Sequence, residues 1–180
     1  MTLLALELKT PHMEGTPLNA SLAQALGSQW PGYFSFVTSF FTVLVMWVHH
    51  HLIFKHVQRV DNFLLFANGF LLLVVTAVPF PTAVLAEYLR TPAANVACML
   101  YAGIFVLIAV AFYLTLLAAF RPAVLDPEAS ATTIARLKRD YLLGPPLYLA
   151  ATIAAPFSPW LSLAICTGLW IFWALSVREC

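Results

Sequence analysis

The chain has 180 residues, of which 62% are hydrophobic and only 9% charged; the mean hydropathy is +0.87 and the formal net charge +1. A soluble domain carries about 25% charged and 45–50% apolar residues, so a soluble globule, a disordered chain and a nucleic-acid binder are excluded together. With a charge so close to zero, no global field steers a polyanion. What remains is an all-α, multi-pass membrane protein forming a single transmembrane domain over residues 1–180.

In chain order, residues 1–8 (MTLLALEL) are apolar but far too short to cross a bilayer, which takes about 20 apolar residues. They lack the basic region and small-residue cleavage site of a signal peptide. The stretch reads as the outer half of a helix whose inner half is missing. Residues 11–32 are polar and turn-rich, and 18–26 within them fit one short amphipathic helix capped by Asn19. Spans are expected over 33–54, 62–89, 92–120, 141–155 and 160–177. The last two share one charge-free interval, split by Pro156-Phe157-Ser158-Pro159, because two prolines three positions apart break a helix. The first of that pair is short and begins inside the preceding polar stretch, 129–140, an amphipathic connector lying at the headgroups.

Lys and Arg counts orient the chain. If the span 33–54 ends in the cytoplasm, that side holds Lys55, Arg59, Arg121, Arg136, Lys138, Arg139 and Arg178, against Lys9 and Arg90 outside. This is a positive-inside bias and puts the C-terminus inside.

The densest constellation is Trp47-Val48-His49-His50-His51, with His56 just beyond. Three consecutive His on a helix point about 100° apart and do not converge on one ion, and no other full span contains His. One His packs within the bundle as interhelical glue while its neighbours meet the interface. A haem- or metal-binding redox protein using His49, His50 and His51 is the rival reading. Asp61 suits the start of the next helix as an anion on its dipole, and Asn68 a helix-to-helix hydrogen bond. No full span carries an ionisable carboxylate, Lys or Arg at mid-membrane, where a proton relay wants one. Pro31-Gly32-Tyr33-Phe34 lacks the Thr-Val-Gly run of a carbonyl selectivity filter. Pro79-Phe80-Pro81 predicts a kink late in its span. Cys98, Cys166 and Cys180 form no spacing motif, so neither a disulfide framework nor a zinc site is expected.

Ser39-Phe40 followed by Trp47, His50 and His51, then Asp61, Asn68 and Pro79-Phe80, resembles the second and third helices of the bacterial transmembrane protein 175 family, relatives of the lysosomal potassium channel. The likeness runs over nearly the whole chain, with Leu52 a departure where the family more often has a basic residue. It implies a six-helix bundle, here five full transmembrane helices plus the outer half of the first. The family's Arg-x-x-x-Phe-Ser-Asp motif would precede Met1. It also implies a potassium-selective or weakly selective cation channel subunit, homotetrameric, in the bacterial inner membrane, without enzymatic activity or cofactor. Thr2, Leu3 and Leu6 would line a pore closed by aliphatic side chains, and Trp47, His50, Asp61 and Asn68 would form a structural polar network. Its partners would be potassium ions, lipid and copies of itself. A non-conducting truncated membrane protein is the further alternative.

Overall fold

The computed structural model describes Gly27 and residues 30–176; residues 1–26, including Thr2, Leu3 and Leu6 and the stretch 18–26, lie outside the described residues. The described elements are six α-helices in chain order: α1 Trp30–Phe54, α2 Asn62–Thr76, α3 Pro79–Tyr88, α4 Ala94–Ala119, α5 Ala131–Ala154 and α6 Pro159–Ser176. All-helical architecture follows from the solvent: hydrocarbon offers backbone N–H and C=O groups no partner, so each span must satisfy its own. Four stretches are long and apolar enough to cross a membrane: Phe36–Phe54, Asn62–Tyr88, Ala94–Ala119 and Pro159–Ser176.

Local chemistry sets the helix limits. At the start of α2, Asp61 takes an extended backbone and its carboxylate accepts the Leu64 N–H at 2.9 Å, satisfying one of the donors a helix start leaves open. Between α2 and α3 the prolines act as the sequence implies. Pro79 has no N–H to give the Val75 carbonyl, which instead accepts from Val78 at 3.2 Å. Pro81 likewise frees the Ala77 carbonyl, which accepts from Phe80 at 3.2 Å. These tighter i→i+3 bonds break the 27-residue span Asn62–Tyr88 into two helices.

From Ala131 the expected connector, 129–140, runs without a break into the span that follows it. α5 is one helix of 24 residues. Its first ten residues contain Arg136, Lys138, Arg139 and Asp140, and the rest is uncharged. Nothing between Ala131 and Tyr141 breaks a helix, so propagation through the polar half is cheaper than a second nucleation. Pro145 and Pro146 are carried inside it. The chain then turns at 155–158, and α6 opens on Pro159, the first helical turn, where no N–H is needed.

α4 is the central helix: 56% of its most apolar window is buried, against 17–28% for the other three apolar stretches. Its inward face carries Ala94, Ala97, Ala102, Ala111, Ala118 and Ala119, small side chains that let helices approach closely where hydrophobicity gives no drive between them. α5, α2, α3 and α6 pack around it, and α1 rests mainly on α3. Thr115 of α4, fully buried, donates to the carbonyls of Ala111 in its own helix and Ala67 in α2.

The loops at one end lock together. Gln58 N–H donates to Val124 C=O at 2.9 Å, Asp126 N–H to His56 C=O at 2.9 Å, and Val57 bridges Leu125. That joins the exit of α1 to the exit of α4. Lys55, Arg59, Arg121, Arg136, Lys138 and Arg139 lie at this end, in these loops or the first half of α5; Arg90 lies at the other, in the turn between α3 and α4.

Candidate functional site

The histidine run sits near the C-terminal end of α1, and the 100° step per residue sends its three side chains to three places. His49 is 7% exposed and points into the bundle. Its Nε2 lies 2.9 Å from the Trp173 carbonyl of α6, and its Nδ1 lies 2.9 Å from the Tyr141 hydroxyl of α5. A carbonyl only accepts, so Nε2 carries the proton, Nδ1 accepts, and the Tyr141 O–H donates. One ring therefore ties three helices. His50 turns toward α2, where its Nε2 meets Asn68 Oδ1 at 2.7 Å, and its ring stacks on Phe54 with centroids 4.3 Å apart. His51 is exposed and stacks on Trp47 one turn earlier, 5.9 Å between centroids.

Of the four residues the sequence groups as a polar network, the structure pairs His50 with Asn68. Trp47 is 59% exposed and touches His51. Asp61 works elsewhere: one carboxylate oxygen caps α2 and the other pairs with Arg121 at the end of α4. Arg121 also lies over the Phe63 ring, 4.6 Å from its centroid, and donates from Nε to the Ala118 carbonyl. The ion pair thus closes the α2 start onto the α4 end, next to the locked loops. His49 and Arg121, absent from the sequence-derived set, carry more interhelix contacts than Trp47. The sequence signal for His49 was the run itself, without a way to choose among its members.

Around His49 lies an aromatic interior. Phe105 stacks on Tyr148 at 5.4 Å, Tyr141 tilts against Phe112 and Trp173, and together they line a cavity of about 60 Å³. Gly144 of α5 belongs to this wall. A Cβ there would lie 3.3 Å from Ala109 Cβ, so α4 and α5 meet at this point as glycine permits. Among the described residues, the buried Trp170 Nε1, Ser39 Oγ and Ser162 Oγ find no hydrogen-bond partner. No three His, Cys, Asp or Glu side chains gather there. Within this interior it is His49 and Tyr141 that hold helices together.

These features define a polytopic helical membrane protein whose buried polar side chains act as interhelix ties. The family model for the endosomal/lysosomal potassium channel TMEM175 matches residues 1–79. A potassium channel of Chamaesiphon minutus is 45% identical over 176 residues, spanning 97% of this chain and 86% of the relative. A potassium channel of Streptomyces collinus is 45% identical over 141 residues, 74% of this chain and 67% of the relative. Among solved structures, the crystal structure of a lysosomal potassium-selective channel TMEM175 homologue from Chamaesiphon minutus superposes with a TM-score of 0.79 at 43% identity. It covers 98% of this chain and 89% of that one. The chain belongs to the TMEM175 family, a family of membrane potassium channels rather than enzymes.

Proposed function

We propose that this protein is a potassium-conducting channel subunit of the bacterial inner membrane, assembled as a homotetramer with its C-terminus in the cytoplasm. The observation that carries the reading is the 45% identity over 97% of the chain to a potassium channel. The one-sided placement of Lys55, Arg59, Arg121, Arg136, Lys138 and Arg139 supports the orientation. In this reading Thr2, Leu3 and Leu6 line the pore. Leu3 and Leu6, three positions apart, share one face of a helix. A ring of aliphatic side chains gates by expelling water. The ties made by His49, His50 and Asp61 hold the bundle that backs such a helix.

The test is potassium and sodium flux through proteoliposomes holding the full chain, with Leu3→Asn, Leu6→Asn and Leu4→Asn variants beside it. A polar ring holds water where methyl groups expel it, so the first two variants should conduct more and discriminate less. Leu4 lies about 100° away from Leu3 and should not behave this way. Equal changes at all three positions would overturn the pore assignment. Absence of flux from a folded tetramer would overturn the channel reading. Native mass spectrometry reads the oligomer directly.

A further inference from the structure

The cavity of about 60 Å³ beside His49 lies between α1, α4, α5 and α6. Among the described residues, six aromatic rings stand in its wall: Phe105 and Phe112 of α4, Tyr141 and Tyr148 of α5, Trp170 and Trp173 of α6. α1 adds Thr42 and Val45. A single water takes about 10–15 Å³ of such space, so the cavity has room for about four or five non-hydrogen atoms. A wall mainly of rings, with a few polar groups set in it, is the usual make-up of a small-molecule site.

Most of those polar groups already have partners. His49 uses both ring nitrogens, one on the Tyr141 hydroxyl and one on the Trp173 carbonyl. The Tyr148 hydroxyl bonds the Trp173 side chain. Thr42 Oγ1 donates to the Thr38 carbonyl at 2.8 Å. Trp170 differs, because its Nε1 is buried and has no hydrogen-bond partner. A buried donor left unmade is costly, and an acceptor placed in the cavity relieves that cost. A water site needs two to four polar partners, whereas this wall supplies mainly apolar contact. Aromatic rings also attract cations, but a cation accepts nothing from an indole N–H.

We propose that this cavity binds a small uncharged molecule of about four or five non-hydrogen atoms, apolar except for one acceptor that takes the Trp170 N–H. Short ketones and ethers belong to this class. Their apolar atoms leave water for the rings, which drives entry. Their oxygen, held at Trp170, sets the orientation. His49, which ties α1 to α5 and α6, shares the wall, so occupancy stabilises the packed bundle. The inference does not depend on conduction; it holds for the folded subunit whether or not it passes ions.

The test uses the full chain purified in detergent, with melting followed as either of two probes is added. Cyclobutanone carries an acceptor; methylenecyclobutane has nearly the same shape and carries none. Cyclobutanone at ten times its Kd should raise the melting temperature by about 3–6 °C. Trp170→Phe keeps a ring in the wall and removes the N–H. It should weaken cyclobutanone about fivefold and change methylenecyclobutane by less than about twofold. Val45→Trp adds volume at the wall and should abolish the shift with both probes. Should that variant fail to fold, the two probes on Trp170→Phe decide alone. No shift with cyclobutanone, a shift that persists in folded Val45→Trp, or equal weakening of both probes by Trp170→Phe would each overturn the proposal.

Discussion

His49 and Tyr141, 92 positions apart in the chain, meet with Nδ1 and hydroxyl oxygen 2.9 Å apart, and the same imidazole reaches the Trp173 carbonyl with its other nitrogen. Because both ring nitrogens are used, the contact has one proton arrangement and no slack. Tyr141→Phe removes the donor and leaves Nδ1 buried without one. A hydrogen bond inside a membrane bundle contributes about 0.6 kcal/mol on average and up to about 1.7, and the phenylalanine variant should lose that much. His49→Ala should cost more, since it also empties volume in a buried site. His51→Ala, on an exposed ring, should change little, and His50→Ala should fall between. Melting temperatures of the four variants in one detergent order them. His51→Ala proving the worst would mean that α1 is rotated from its described setting.

Asp61 has two separable jobs, and substitutions separate them. Asn at this position still caps α2, because its side-chain oxygen accepts the Leu64 N–H as well as a carboxylate does, but it gives up the charge that faces Arg121. Ala gives up both. The ion pair is partly exposed, 38% and 39% for the two side chains, so its share is at most about 1 kcal/mol, with the cap adding about 1 kcal/mol. Asp61→Ala should therefore destabilise about twice as much as Asp61→Asn, and Arg121→Gln should resemble the asparagine variant. Chemical or thermal denaturation of the three reports this directly.

Gly144 and Gly103 predict opposite outcomes for similar substitutions. At Gly144 an added Cβ comes within 3.3 Å of Ala109 and 3.6 Å of Trp173. Gly144→Val should then push α4 and α5 apart at an overpacking cost of about 1–3 kcal/mol. At Gly103, within α4, a Cβ meets nothing within 4 Å, and Gly103→Ala should raise stability by about 0.5–1 kcal/mol by restricting the unfolded chain. A melting temperature lowered by both would show that Gly103 faces a neighbour of another kind.

His56 gives the end loops a dependence on pH. It lies outside the membrane helices, in the segment whose backbone bonds to Asp126, and its ring packs against Phe120. Burial, and then the adjacent Lys55 charge, lower its pKa from the ordinary value near 6.5, with Asp126 opposing. The unfolded chain then binds the proton more readily than the folded one, so stability rises with pH across this range. It is complete above about 6.5 and is lost as pH falls from there toward the lowered value. Melting measured from pH 5 to 8 should show that fall, and His56→Gln should flatten it. An equal fall in the variant would assign the dependence to other groups.

How far the sequence reaches is clearest at particular residues. The paucity of charge and the charge-free intervals are enough to require membrane helices, because a buried backbone in hydrocarbon has no other way to satisfy itself. Pro156 and Pro159 announce the turn between α5 and α6, and Asp61 announces a helix start, since both act through local backbone chemistry. Ser39-Phe40, Trp47, His50, His51, Asp61, Asn68 and Pro79-Phe80 together carry the resemblance to the family, to which the 45% identical relative assigns the chain. Which histidine faces inward is another matter. His49, His50 and His51 have the same side chain and adjacent positions, and choosing among them needs the rotation of α1 against α5 and α6. Arg121 could not be matched to Asp61, 60 residues away, until the ends of α2 and α4 were brought side by side. The joining of the connector to α5 likewise depends on the balance between continuing a helix and starting another, which no single residue there marks. Local rules fix where helices begin and end; rotation, register and the pairing of distant polar groups belong to the packed bundle, where close fit and hydrogen bonds between helices take the place of the hydrophobic drive.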